Sequence, residues 1–165
     1  MPTRPPLLCL IAAFALAVAG CGTTERSGDV GDTLSAKGLE VTVDEVDTSV
    51  SVPENDITGL SQPTPGSQLV GVRVGVCSDH PGAIGPYDFG VETTAGDQAK
   101  LKFPQRNYDK SFESLRDDCG DGWVVFEIPD GSEPERVTFG FLDTGSAADP
   151  ENNEVDAKFS WTVAP

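Results

Sequence analysis

The chain has 165 residues with 11 basic and 27 acidic side chains, which gives a formal charge of −16. Because a surface this acidic repels nucleic acid and anionic lipid head groups, we exclude both as ligands of the folded domain. The simplest interpretation of the charge is a soluble, solvated surface. A site for cations or cationic peptides is the alternative.

Residues 1–20 have the features of a cleaved lipoprotein signal peptide. Arg4 precedes an apolar stretch over residues 7–19, which is too short to span a bilayer because a membrane-spanning helix needs about 20 apolar residues. The stretch has the length of a signal-peptide core and ends in small residues. Cys21 follows directly, and this pattern predicts cleavage before Cys21 and a diacylglyceryl group on its thiol. An ordinary secretory signal followed by a coincidental cysteine is the alternative.

Lipidation of Cys21 predicts where the protein resides and how it is held. Two acyl chains anchor a protein stably to a membrane. We therefore expect a cell-envelope protein on the outer side of the cytoplasmic membrane, or in the periplasm or outer membrane of a diderm. Residues 21–32 are small, polar and turn-prone, and we interpret them as a flexible tether. Residues 33–165 are long enough to form one domain with its own core.

The remaining sequence predicts short strands separated by turn residues, because apolar and polar residues alternate with a period of two. The predicted strands cover residues 39–46, 68–77, 87–93, 101–103, 123–128, 136–142 and 158–163. Tyr108, Phe112 and Leu115 have a spacing of i, i+4 and i+7 instead, which predicts a short helical turn that seals the core. Seven or eight strands and no long helix favour an all-β fold, an immunoglobulin-like antiparallel β-sandwich.

Two cysteines, Cys77 and Cys119, remain in the predicted mature domain. An exported domain folds in an oxidising compartment, where such a pair usually forms a disulfide. A redox or metal-binding pair is the alternative, but redox motifs need close spacing and zinc needs further ligands. We therefore predict a structural disulfide between Cys77 and Cys119.

The sequence contains no convincing catalytic or metal-binding motif. His80 is the only histidine, and its neighbours Ser78 and Asp79 cannot converge with it as a catalytic triad does. Two acidic stretches suggest calcium, but their spacing matches no EF-hand loop. Their members are Asp117, Asp118, Asp121, Asp143, Asp149, Glu151, Glu154 and Asp156. We predict no catalytic residue, no metal site and no cofactor, and interpret both stretches as solvated loops.

An ordered set of motifs carries a resemblance to a known family. The motifs are residues 31–34 and 38–46, the valine-rich strand 68–76, Tyr87-Asp88-Phe89 with Gly96-Asp97, and residues 122–129 with Val137-Thr138-Phe139. In this order they resemble bacterial lipid-anchored, immunoglobulin-like domains of unknown function, to which a telomeric repeat-binding-factor label is sometimes attached. Secreted immunogenic mycobacterial proteins with an immunoglobulin-like sandwich belong to the same broad group. The resemblance covers about residues 30–163 and implies the sandwich fold.

The resemblance implies no site residues, because the family has no established catalytic residues. This chain departs from the family where Cys77-Ser78-Asp79 and Cys119-Gly120 stand in place of its usual Asn-Thr-Gly and Pro-Gly. Since both departures introduce a cysteine, they support the predicted pairing.

The anchor and the sandwich pattern together predict a non-enzymatic function. We expect a cell-envelope lipoprotein that presents a binding or interaction module for an unknown protein or small-molecule ligand. A structural or stress-related envelope component is one alternative. A surface hydrolase or metal-dependent enzyme that uses the acidic loops is another.

Overall fold

The computed structural model describes residues 24–57, 59–79, 83–102, 107–115, 118–144 and 154–164. These residues form nine strands and one short 3₁₀ turn over Pro86–Asp88. The strands are β1 (Thr24–Asp29), β2 (Thr33–Ala36), β3 (Leu39–Asp47), β4 (Ser67–Ser78), β5 (Phe89–Thr93), β6 (Lys100–Leu101), β7 (Cys119–Pro129), β8 (Pro134–Thr144) and β9 (Glu154–Thr162).

The strands form two sheets that pack as a sandwich, which confirms the predicted fold class. One sheet has four strands in the order β1-β9-β8-β5, and the other has five in the order β2-β3-β4-β7-β6. Every pair is antiparallel except β1 with β9, which is parallel. The described strands outnumber the predicted ones because the alternation of apolar residues predicted neither β1 nor β2, although residues 31–34 and 38–46 resemble the family's opening hairpin, which is present as β2 and β3. In this part of the chain, no helix is long and apolar enough to span a membrane.

The core lies between the two sheets because each strand turns its apolar side chains to one face. Val70, Val72 and Val74 of β4 are fully buried, as is Trp161 of β9. The indole N–H of Trp161 donates a hydrogen bond of 2.9 Å to the carbonyl oxygen of Asp32. This bond satisfies the buried indole and ties the turn after β1 to the core.

Strand β1 lies within the stretch that we assigned to a tether. Residues 24–29 pair with β9 from Thr24↔Ala157 to Asp29↔Thr162, so the prediction of a flexible tether over residues 21–32 is wrong for them. A polar sequence forms this strand because the edge of β9 supplies partners for its backbone groups. Cys21 and the predicted signal peptide lie outside the described residues.

Two ends of the sandwich can be distinguished from the connections between the sheets. Strand β1 continues from Asp29 into β2, and β7 continues from Pro129 into β8, so these residues share one end, which we call the Asp29 end. The loop over residues 48–66 joins β3 to β4 and starts and finishes at this end. The opposite end, which we call the Thr24 end, contains Thr24 and Cys119.

Residues 107–115 cross the edge of β7 and are called the crossing segment here. The N–H of Phe112 donates to the carbonyl oxygen of Trp123 at 2.9 Å. The segment consists of bends and two isolated bridges, at Ser111 and Leu115, and contains no helical turn, so the predicted helical turn is wrong. The prediction that Tyr108, Phe112 and Leu115 seal the core is confirmed for Phe112, whose ring centroid lies 5.7 Å from that of Phe89.

The loop over residues 48–66 is fastened to the outer face of the five-stranded sheet. The side-chain amide of Asn107 donates to the carbonyl oxygens of Ser51 and Ser61 at 3.1 and 3.0 Å. These bonds hold the start and the finish of the loop together, because each carbonyl belongs to a different branch of it.

Glu127 fastens the same loop through a second set of contacts. Its carboxylate accepts hydrogen bonds from Lys102 at 2.8 Å and from the Thr64 hydroxyl at 2.9 Å. Burial alone would raise the pKa of Glu127, but these hydrogen bonds outweigh it and hold the pKa below the ordinary value of 4.5. The ionised form therefore predominates at neutral pH.

Candidate binding groove

A groove of about 530 Å³ lies on the outer face of the four-stranded sheet. Alternate residues of each strand face outward here, because the others are buried between the sheets. The register places Ser27, Ser160, Thr138 and Gly90 side by side across the four strands. The first three of these residues form a row of hydroxyl groups along the floor of the groove, which we call the hydroxyl row.

Gly140 keeps part of the groove floor open. It pairs with Lys158 in the register, and a Cβ atom at this position would meet no heavy atom within 4 Å. A ligand can therefore approach the backbone of β8 closely. The volume of the groove lies within the range of about 300–1,000 Å³ that is common for small-molecule sites.

Two cations, Lys158 and Arg136, and two carboxylates, Glu25 and Glu92, face outward into the groove, so its charges are balanced. Arg26 pairs with the buried Phe159 and therefore lies on the inward-facing side of β1, whereas Glu25 lies opposite Lys158. Arg136 contacts Glu92 at 3.0 Å, and the other lining carboxylate belongs to Glu25. The groove therefore offers the hydroxyl row flanked by neighbouring side chains of opposite charge, a polar surface that suits a hydrogen-bonding ligand.

The outer face of the five-stranded sheet is covered by an aromatic pair instead. Tyr108 stacks on Trp123 with ring centroids 4.1 Å apart and an interplanar angle of 4°. Its hydroxyl donates to the Asp47 carboxylate at 2.5 Å. Burial, together with this bond and the charge of Asp47, raises the pKa of Tyr108. Burial alone would raise the pKa of Asp47, but hydrogen bonds from Tyr108 and Ser49 lower it overall.

The predicted disulfide between Cys77 and Cys119 is present in the structure. The two residues are register partners at the last pair of the β4–β7 ladder, with Cα atoms 4.0 Å apart. The bridge lies on the outer face of the five-stranded sheet near the Thr24 end, beside a shallow concavity of about 330 Å³. Its position indicates a structural role, since it closes the end of the longest ladder.

The acidic residues that suggested calcium are only partly described. Asp121 forms an ion pair with Lys110, and hydrogen bonding to Lys110 lowers the pKa of Asp121. The carboxylate of Asp118 accepts a hydrogen bond of 2.7 Å from the N–H of Cys119. In the described part of the chain, no three potential metal ligands cluster.

The structure does not describe the remaining side chains that were singled out from the sequence. His80, Asp117, Asp149 and Glu151 lie outside the described residues, as do the side chains of Asp143, Glu154 and Asp156. The predictions made for them stay predictions.

Sequence analysis missed the groove and its cations. Arg136 and Lys158 could have been placed on the outer face, because they alternate with apolar residues in predicted strands. Glu25 and Ser27 gave no such signal, since their strand has no apolar alternation. Nothing in the sequence indicated that β1 pairs with β9 and adds these two residues to the outer face.

Comparison with known proteins supports the fold. No family model matches the sequence, and no curated protein matches it. The chain is similar to MPT63, a secreted protein from Mycobacterium tuberculosis, with a TM-score of 0.51, 16% identity and coverage of 86% of this chain and 99% of that protein.

Two further solved structures are similar at a lower level. A candidate lipoprotein from Bacillus subtilis has a TM-score of 0.48, 14% identity and coverage of 79% of this chain and 38% of that protein. A β-sandwich protein from Clostridium difficile has a TM-score of 0.41, 10% identity and coverage of 83% of this chain and 95% of that protein. At this level of identity, the comparisons describe the fold alone.

Proposed function

We propose that the chain is a cell-envelope lipoprotein, anchored through Cys21, that presents its sandwich as a binding module and acts by binding rather than catalysis. The observation that carries the proposal is the groove on the four-stranded sheet, with its hydroxyl row and the open backbone at Gly140. The signal-like sequence before Cys21 supports the location. The similarity to a secreted mycobacterial sandwich is compatible with it.

The anchor would fix the orientation of the domain. Residues 22 and 23 separate Cys21 from β1, so a lipid on Cys21 would hold Thr24 within about 11 Å of the anchored residue. The Thr24 end would therefore face the membrane. Strand β4 has 12 residues and a length of about 40 Å, so the Asp29 end would lie well away from the lipid.

The location is tested by the anchor itself. Wild-type protein should fractionate with membranes, and mass spectrometry should find the acylated Cys21 as its first residue, whereas Cys21→Ser should be released. For the orientation, a fluorophore at position 37, in the β2–β3 turn, should be quenched by spin-labelled lipid, and one at position 130 should not. An intact, unacylated N-terminus would refute the anchor.

The binding role is tested by blocking the groove without damage to the fold. Immobilised protein is incubated with envelope extract, and bound components are compared among wild type, Gly140→Val and the control Gly75→Val. Both glycines face outward with no heavy atom within 4 Å of an added Cβ, but only Gly140 lines the groove. A component retained by wild type and Gly75→Val and lost with Gly140→Val is the expected result. Equal retention by all three would refute the groove as the binding site.

A further inference from the structure

The two sheets leave a cavity between them at the Asp29 end. Its volume is about 470 Å³, which lies within the range that is common for small-molecule sites. Val46 of β3 lines it from one sheet, and Val163, two residues after the buried Trp161, lines it from the other. Val46 faces the core because it pairs with the buried Val72, and Val163 does so because residues two apart in a strand share a face. Both valines are only partly buried, so the cavity has an apolar wall on each side.

The turn between β7 and β8, which also lines the cavity, is fixed by three hydrogen bonds. The N–H of Ser132 donates to the carbonyl oxygen of Pro129 at 3.1 Å. The N–H of Asp130 donates to the carbonyl oxygen of Gly66 at 3.1 Å. The side-chain amide of Gln68, another lining residue, donates to the carbonyl oxygen of Ser132 at 2.6 Å. The cavity is therefore pre-formed, and a ligand does not have to order this turn when it binds.

Glu133 is the charged member of the described residues that line the cavity. The residue is exposed, so it lies at the mouth of the cavity and not at its floor. In the part of the chain that the structure describes, it forms no ion pair. An unneutralised carboxylate at the mouth of an apolar cavity suits a ligand that has an aliphatic chain with a positive charge at its end.

The connections between strands around this cavity carry negative charge only. Four connections meet at the Asp29 end, and they cover residues 30–32, 48–66, 94–99 and 130–133. The N–H of Thr94 donates to the carbonyl oxygen of Glu133 at 3.0 Å, which places the third connection beside the cavity. Together the four connections contain six acidic residues and no lysine or arginine. The acidic residues are Asp32, Glu54, Asp56, Asp97, Asp130 and Glu133. This end of the domain therefore attracts a ligand with several positive charges.

We infer that the cavity receives a lysine side chain from a positively charged segment of a partner protein. A lysine buries its aliphatic stem along apolar surface and keeps its ammonium group in water. The stem packs between Val46 and Val163, and the ammonium group reaches Glu133. The acidic connections beyond the cavity match further cations of the same segment, which a single amine does not supply. The site is separate from the groove on the four-stranded sheet and does not depend on the function proposed for it.

The test is a titration of the purified protein with three probes at constant ionic strength, followed by amide NMR. The probes are acetylated pentalysine amide, the same peptide built from 2,4-diaminobutyrate, and spermidine. Pentalysine should shift the amide resonances of Val46, Gln68 and Val163. The diaminobutyrate peptide has the same charge but a stem that is two methylene groups shorter, so it should bind about tenfold more weakly. Spermidine should also bind more weakly than pentalysine.

Matched variants locate the contact. Ala164 lines the cavity, whereas Ala95 lies in a connection at the same end, and both are exposed. Ala164→Trp should fill the cavity and remove the response of its residues to pentalysine, and Ala95→Trp should leave the response unchanged. Glu133→Gln should weaken binding about threefold, as expected for an exposed ion pair. Glu40→Gln, which removes the same charge beside the disulfide at the other end, should have no such effect.

Other results overturn the inference. Equal binding of the two peptides, or an unchanged response in Ala164→Trp, would show that the lysine stem does not enter the cavity. Spermidine that binds as tightly as pentalysine would make the site one for a free polyamine and not for a partner segment. Gly140→Val should leave pentalysine binding intact, and its loss in this variant would place the contact on the four-stranded sheet. Because Gly140→Val is also the variant that tests the groove, the two proposals can fail separately.

Discussion

The contact between Gly71 and Tyr108 gives a sharp test of how the five-stranded sheet is covered. A Cβ atom at position 71 would lie 2.2 Å from the Tyr108 hydroxyl and 2.8 Å from two ring carbons. Gly71→Ala therefore displaces the ring. Because Tyr108 is held between Trp123 and Asp47, the displacement breaks the stacking and the hydrogen bond together.

The expected cost follows from these two interactions. A hydrogen bond to a charged group contributes about 1.5–3 kcal/mol, and an aromatic pair about 0.5–1.5 kcal/mol. Tyr108 and Asp47 are both partly exposed, so the lower values apply and give a loss of about 2 kcal/mol. Alanine restricts the unfolded chain and recovers about 0.5 kcal/mol. We therefore expect Gly71→Ala to lower the free energy of unfolding by about 1.5 kcal/mol.

Urea denaturation followed by tryptophan fluorescence measures this difference. With a slope of about 2 kcal/mol per molar urea, the midpoint should fall by about 0.75 M. The control is Gly75→Ala on the same strand and face, where an added Cβ meets nothing within 4 Å, and it should be neutral or slightly stabilising. In a Tyr108→Ala background, Gly71→Ala should lose its cost. Equal midpoints for the two alanine variants, or a cost unchanged without Tyr108, would refute the reasoning.

Three further predictions concern stability. The pKa of Glu127 in the folded protein lies below 4.5, so the stabilising effect of its carboxylate is complete above pH 4.5 and is lost as the pH falls through the folded pKa. When the free energy of unfolding is measured from pH 3 to 7, Glu127→Gln should therefore lose less stability at low pH than wild type. Replacing Cys77 and Cys119 by serine opens a cross-link between positions 42 apart and should cost about 4 kcal/mol in denaturant titrations. Gly122→Ala places a Cβ 2.6 Å from a backbone nitrogen of the crossing segment. It should lower the free energy of unfolding by about 3 kcal/mol in the same assay, because the backbone cannot rotate away as a side chain can. A loss smaller than that of Gly71→Ala would contradict this.

The sequence predicted those parts of the fold that depend on local pattern. The valines of β4 and the aromatic residues of β9 alternate with a period of two, and this pattern identifies the buried face of each strand. The pairing of Cys77 with Cys119 followed from the oxidising compartment and the lack of other partners. The first inference needs only residues that are close in the sequence, and the second needs only the number of cysteines in the exported domain.

Features that depend on register were not accessible in this way. The spacing of Tyr108 and Phe112 looks helical, but it arises because the chain passes from the outer face of a sheet to the core over one edge. Tyr108 lies outside since Gly71, 37 positions earlier in the numbering, leaves room for its ring. A glycine within a strand pattern indicates that another group lies close to the backbone at that position. It does not indicate which residue that group belongs to.

The groove shows the same limit most clearly. Ser27, Thr138 and Ser160 come from three strands, and Ser27 joins the other two only because β1 adds to β9 in parallel register. That pairing requires no apolar pattern, since a free strand edge pairs through backbone N–H and C=O groups whatever the side chains are. A polar segment next to a predicted signal peptide therefore looks the same in sequence whether it is a tether or a strand. Here it is a strand, and it supplies one wall of the candidate site.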